Sequence, residues 1–155
     1  NDLLNMKSKK EIADMIFKYG EERRSRAIAD SILKMRPIKN VFELVEAIRK
    51  STPPKNRNKT LARVFQAIRI LVNDELRILE NFLSKFCSQL SVGGRVVFIS
   101  FHSLEDRMVK HALKDLSLKK KMKVLTKKPL CPSSEENFSN RRCRSAKLRA
   151  AERIL

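Results

Sequence analysis

The sequence predicts a mixed α/β fold, helical over residues 1–90 and strand-bearing over 91–155, and three observations carry that expectation. Apolar residues recur at intervals of three and four through the first half, the period of a helix with one buried face. Val96 to Ile99 is a short β-branched and aromatic run, the character of a strand covered on both faces as in a parallel sheet. That run stops in a polar cluster, Ser100, His102, Ser103, Glu105, Asp106 and Arg107, and parallel sheets collect function at the carboxyl ends of their strands.

Each element has its own signal. Ser8 with Glu11 reads as a capping box, Ile12, Met15, Ile16 and Tyr19 form the buried stripe behind it, and Gly20 is a C-terminal stop. A second helix is expected from Glu21 to Met35, with Ile28, Ile32 and Leu33 inward and Pro37 beyond its end. Asn40 and Glu43 cap a third, whose stripe is Leu44, Val45 and Ile48. Ser51 to Asn58 is a basic loop with two prolines and no periodicity. From Leu61 to Leu90 the spacing predicts one helix of roughly eight turns.

Gly93-Gly94 leads into the strand, and Ser103 with Asp106 reads as the capping box of the helix that follows, Leu104 to Leu116, closed by Lys119-Lys120-Lys121. A short strand is expected at Met122 to Thr126, then a long loop holding Pro129, Pro132 and the acidic pair Glu135-Glu136. Ser145 to Leu155 is ambiguous: Ala146, Leu148 and Ala150 alternate as in a strand, while the Ala, Leu, Arg and Glu content favours helix.

Length and composition narrow the function. The 155 residues, 42% hydrophobic, suffice for one core-bearing domain. The chain opens at Asn1, without methionine, directly into patterned sequence, which leads us to expect a piece of a longer protein. Apolar runs stay far below the ~18 residues of a membrane span. Cys87, Cys131 and Cys143 are unevenly spaced with no CxxC pair, so neither a disulfide framework nor a zinc site is expected, and a reducing, cytoplasmic setting fits.

The formal charge of +18 is unevenly spread. Arg107 to Leu155 carries fifteen Lys or Arg against four Asp or Glu, and Arg49 to Arg69 carries seven basic residues and no acidic one. Such excess points to a polyanion, with nucleic acid ahead of an acidic membrane because the basic islands are not on one amphipathic helix. Arg63, Gln66, Arg69 and Asn73 fall at intervals of three or four and so share a helix side, directly after the basic loop.

Four motifs resemble one known family. Arg63-Val64-Phe65-Gln66-Ala67-Ile68-Arg69-Ile70, then Val72-Asn73-Asp74-Glu75-Leu76, then Gly93-Gly94-Arg95 through Ser100-Phe101-His102-Ser103-Leu104-Glu105-Asp106-Arg107, and finally Arg144-Ser145-Ala146-Lys147-Leu148-Arg149 strongly resemble the RsmH (MraW) family in order and spacing over nearly the whole chain. Three departures are local. Lys59-Thr60-Leu61-Ala62 stands where the family often has His-Pro-Ala-Thr, Arg141 replaces a usual proline, and Leu71 sits where an acidic or small residue is common.

The resemblance implies an S-adenosylmethionine-dependent methyltransferase acting on N4 of a cytidine in small-subunit ribosomal RNA. It implies a helical insert, residues 1–90, for RNA recognition, and in residues 91–155 the last three strands of an incomplete Rossmann-like class I methyltransferase sheet, with Ser145 to Leu155 as the final strand. Nothing in the chain corresponds to the family's glycine-rich cofactor loop, so most cofactor-binding residues are expected upstream of Asn1 and this portion alone is expected to be inactive.

Candidate residues follow. Ser100, His102, Ser103, Glu105 and Asp106 form an expected active-site rim without assigned roles, since a weakly nucleophilic N4 amine needs alignment and a hydrogen-bond acceptor. Phe101 is read as core, with stacking on an extruded base as its alternative. For RNA the candidates are Lys55, Arg57, Lys59, Arg63, Gln66, Arg69, Asn73, Arg107, Arg142, Arg144 and Lys147. No metal ligands are expected. Partners would be small-subunit ribosomal RNA or the assembled subunit, no membrane, and a second copy through an unpaired sheet edge. The competing reading is a non-catalytic basic RNA-binding module that keeps methyltransferase scaffold motifs.

Overall fold

The computed structural model describes residues 2–155, and packing divides the chain into two compact units, Asn1–Glu75 and Leu76–Leu155. These units are set by packing, whereas the division at residue 90 expected from sequence is one of role.

The first unit is helical: α1 Asp2–Met6, α2 Lys9–Gly20, α3 Ser25–Lys34, α4 Val41–Lys50, a 3₁₀ turn Pro54–Asn56, and α5 Arg57–Asn73. Its caps are the expected local ones. The Ser8 hydroxyl accepts the Glu11 N–H while the Glu11 carboxylate accepts the Ser8 N–H, and Asn40 Oδ1 accepts the Glu43 N–H at 3.0 Å. Ile12, Ile16, Ile28, Ile32, Leu44, Ile48 and Val64 are buried together as its core.

Gly20 serves packing. A Cβ there would lie 2.6 Å from the Arg63 carbonyl oxygen, so the glycine lets α2 and α5 approach closely. The left-handed residue after α2 is Glu21, φ 49°, and the chain then turns through residues 21–24 before α3 starts at Ser25, four residues later than the periodicity suggests.

The expected eight-turn helix is two helices. Asp74 adopts φ 52° and ends α5, and α6 runs Glu75–Gln89. An aspartate tolerates that conformation at modest cost, and apolar spacing continues across the break, so the pattern hides it.

The second unit holds β1 Arg95–Ser100, α7 Ser103–Leu118, β2 Met122–Val124, α8 Ser134–Ser139, a 3₁₀ turn Arg141–Ser145, and β3 Lys147–Arg153. The strand order is β1-β3-β2. Arg95 pairs with Glu152 and Ser100 with Lys147 across β1 and β3, while Met122 pairs with Arg153 across β2 and β3, both antiparallel. Strands β1 and β2 therefore run in the same direction, joined through α7, and β3 inserts between them reversed. The ambiguous C-terminal segment is thus the central strand.

The strand at Val96–Ile99 departs from its expectation. Among the described residues it pairs only with β3, antiparallel, and Val97 and Ile99 are 57% and 58% exposed. Only the face bearing Val96 and Phe98 is packed, against Phe86, Val109, Leu113 and Met122. Phe86 and Phe98 meet edge to face at 5.3 Å between ring centroids. No helix among the described residues is long and apolar enough to cross a membrane.

Candidate functional site

The strand-end cluster is built by the turn from β1 into α7. His102, not Ser103, caps α7: its Nδ1 accepts the Glu105 N–H at 3.3 Å, and Ser103 is the first helical residue. A histidine ring nitrogen does here what a serine hydroxyl does elsewhere, which the residue-type rule for caps does not anticipate. The Glu105 carboxylate turns back to accept the Phe101 N–H at 3.0 Å. His102 Nε2 lies 3.2 Å from Glu105 Oε1 yet makes no hydrogen bond, although it is buried. Burial raises the Glu105 carboxyl, and the His102 and Phe101 contacts outweigh it, leaving the group below its ordinary value.

Asp106 turns toward β3. Its carboxylate receives Arg149 Nε at 2.7 Å and Nη2 at 3.1 Å, with Lys147 Nζ at 3.5 Å. The Arg149 fork holds Asp106 below the usual carboxylate range. Arg149, counted among the late cations in the sequence, faces inward and is 7% exposed. Ser100 is buried, with its Oγ 3.5 Å from the Lys147 carbonyl. Phe101 is 54% exposed, so the described residues do not use it as core.

A second polar centre lies in the first unit. The turn 21–24 and the start of α5 line a pocket of about 390 Å³ with Glu22, Arg23, Arg24, Lys59, Thr60 and Arg63. Glu22 is buried at 4% exposure and accepts the Arg24 N–H at 3.0 Å, the Thr60 hydroxyl at 3.2 Å and Arg63 Nη1 at 3.3 Å. Burial pushes this carboxyl up, and those three donors hold it below its ordinary value nonetheless. Arg24 donates Nε and Nη2 to the Ser51 carbonyl at 3.1 and 2.9 Å.

The RNA candidates fall into two groups. Gln66 donates to the Tyr19 carbonyl, Arg57 to the Thr52 carbonyl, and both Arg69 and Asn73 to Glu75, so these donors are engaged within the unit. Arg63 is shared between Glu22 and solvent. Lys55, Lys59, Arg107, Arg142 and Arg144 are exposed, and Lys147 is half-buried beside Asp106. A continuous helix from Glu21 leaves no turn there to gather Glu22, Arg23 and Arg24 with α5, so the sequence does not single them out. The Gly20-Glu21-Glu22 step was the available signal of a turn.

The family model described as the MraW methylase family matches residues 1–154. The chain belongs to the MraW methylase family. Three curated relatives, each named ribosomal RNA small subunit methyltransferase H, are similar across nearly the whole chain. The one from Thermosipho africanus is 54% identical over 99% of this chain and 53% of its own length. Those from Nostoc punctiforme and Kosmotoga olearia are 52% and 51% identical over 99% of the chain, covering 52% and 53% of the relatives. This MraW-family chain therefore spans about half the length of the curated relatives it matches.

Proposed function

We propose that this chain is part of a ribosomal RNA methyltransferase that transfers a methyl group from S-adenosylmethionine to N4 of a cytidine in small-subunit RNA. The observation that carries the reading is the similarity, above 50% identity across the chain, to relatives named for small-subunit ribosomal RNA methylation. On this reading residues 1–90 recognise RNA and 91–155 close a Rossmann-like sheet. The reversed β3 between two co-directional strands joined by a helix supports that closure.

The described residues do not fit the cofactor. At the β1 end, Glu105 turns Oε2 to the Phe101 N–H and Oε1 toward His102, and Asp106 is held by Arg149, so neither carboxylate is presented to a ribose. No step through the cofactor follows from this chain. Its own rim residues shape the strand end: His102 caps α7 through Nδ1, Ser100 is buried against β3, Ser103 begins α7, and Asp106 ties α7 to β3. Carboxyls held below their ordinary values are poor proton acceptors, so their part is alignment of the amine's surroundings.

The partner would be small-subunit RNA, free or assembled, in the cytoplasm. Two measurements test the reading. Single-stranded RNA should bind with a log–log salt slope of about −4 if some six phosphates are neutralised. A flat salt response overturns the RNA assignment. Calorimetry with S-adenosylmethionine should give weak or no binding to this chain, and micromolar affinity would refute the placement of the cofactor residues elsewhere. A methyl-transfer assay on small subunits with the longer protein separates the enzyme from a non-catalytic RNA-binding module.

A further inference from the structure

The pocket between the 21–24 turn and the start of α5 gathers four cations around one carboxylate. That carboxylate is not available to a guest cation, because the Arg24 N–H, Thr60 and Arg63 already donate to its oxygens and its side chain is buried. It neutralises one guanidinium and fixes where that guanidinium sits. Arg24 is fixed independently by the Ser51 carbonyl. Two of the walls are therefore preset donors, each with further N–H groups on its fork. Arg23 and Lys59 are exposed and make no ion pair with a described residue. Holding like charges around one concavity costs energy that an entering anion recovers, and the planar fork of arginine matches paired phosphate oxygens.

We infer that this pocket takes a single backbone phosphate of the RNA, gripped by Arg23 and Lys59 against the preset Arg24 and Arg63. The inference rests on the RNA-binding reading above and adds a specific seat to it. As a phosphate contact it fixes position without reading sequence.

Fluorescence anisotropy with a single-stranded RNA oligonucleotide across a salt series tests it. The double variant Arg23→Ala, Lys59→Ala should bind about tenfold more weakly, as for loss of a charged hydrogen-bonded contact, with a salt slope shallower by about 0.7. Lys10→Ala with Arg26→Ala removes the same charge from exposed positions outside the pocket and should change binding less than about twofold on the same salt scale. Equal losses in the two variants would mean a diffuse field and overturn the pocket. Wild-type binding that is salt-dependent but unchanged in the pocket variant overturns the pocket and leaves the RNA reading standing. Absence of RNA binding in the wild type removes both. Inorganic phosphate, followed through the Thr60 and Arg63 amide resonances, separates the sources: shifts with phosphate but unaltered RNA affinity in the variant would make this a small-anion site and refute the assignment. Unchanged thermal unfolding of the variants establishes that both remain folded.

Discussion

Replacing Asp106 by alanine strips the partner from a guanidinium that has nowhere to go. The Arg149 and Asp106 side chains are 8% and 11% exposed and joined by two hydrogen bonds, whereas Lys147, at 39%, can turn to water. The cost is therefore set by one stranded charge. Breaking a buried pair from one side costs about 3–5 kcal/mol. Hydrogen exchange of the β3 amides reads the second unit alone, and that loss corresponds to roughly two to four decades of protection at about 1.36 kcal/mol per decade. Asp106→Leu with Arg149→Met, which removes both charges and keeps volume, should restore most of it. The pair also sets a pH dependence. Because the folded Asp106 carboxyl lies below its ordinary value, its contribution is complete above the unfolded pKa of about 3.9 and disappears as pH falls through the lower folded value. The alanine variant should lack that component of acid loss. A change under about one decade, or a double variant as weak as the single one, would refute the stranded-charge argument.

Three further outcomes are expected. Gly20→Ala should destabilise the first unit, since the added methyl must displace the Arg63 backbone at about 1–3 kcal/mol, more than the roughly 1 kcal/mol gained in helix propensity; thermal unfolding read by the single tyrosine, Tyr19, would show any stabilisation that contradicts this. His102→Ala should cost the second unit about 1 kcal/mol and His102→Asn should return it, because asparagine also caps; equal exchange protection in both variants would deny the cap. Glu22 lies below its ordinary value when folded, so the first unit should lose stability as pH falls below the unfolded value of about 4.3, and Glu22→Gln should flatten that decline in Tyr19-monitored denaturation.

What was legible in the sequence depended on reach. The Ser8–Glu11 and Asn40–Glu43 caps close within three residues and were read directly. The β1 to α7 boundary was also visible, yet its cap was misassigned, because His102 takes the capping place expected of Ser103 and the partner of Asp106, Arg149, lies far along the chain. Glu22 escaped notice for the same reason: its partners Thr60 and Arg63 lie on another helix. Of the RNA candidates, charge alone could not separate Lys59, which is exposed in the pocket, from Arg69, which Glu75 holds with two bonds.

The sequence by itself determined the helical first half, the single strong strand with its polar end, the basic character of the chain and, through four ordered motifs, its family. These rest on local periodicity and residue identity, which neighbours in the chain encode. Only the tertiary structure decided that β3 is the central strand, that Asp74 divides a continuous apolar stripe into two helices, and that Asp106 and Glu22 are spent on distant cations. Strand partners and ion pairs are chosen by what the fold brings close and dries out, and an amphipathic pattern is silent about both.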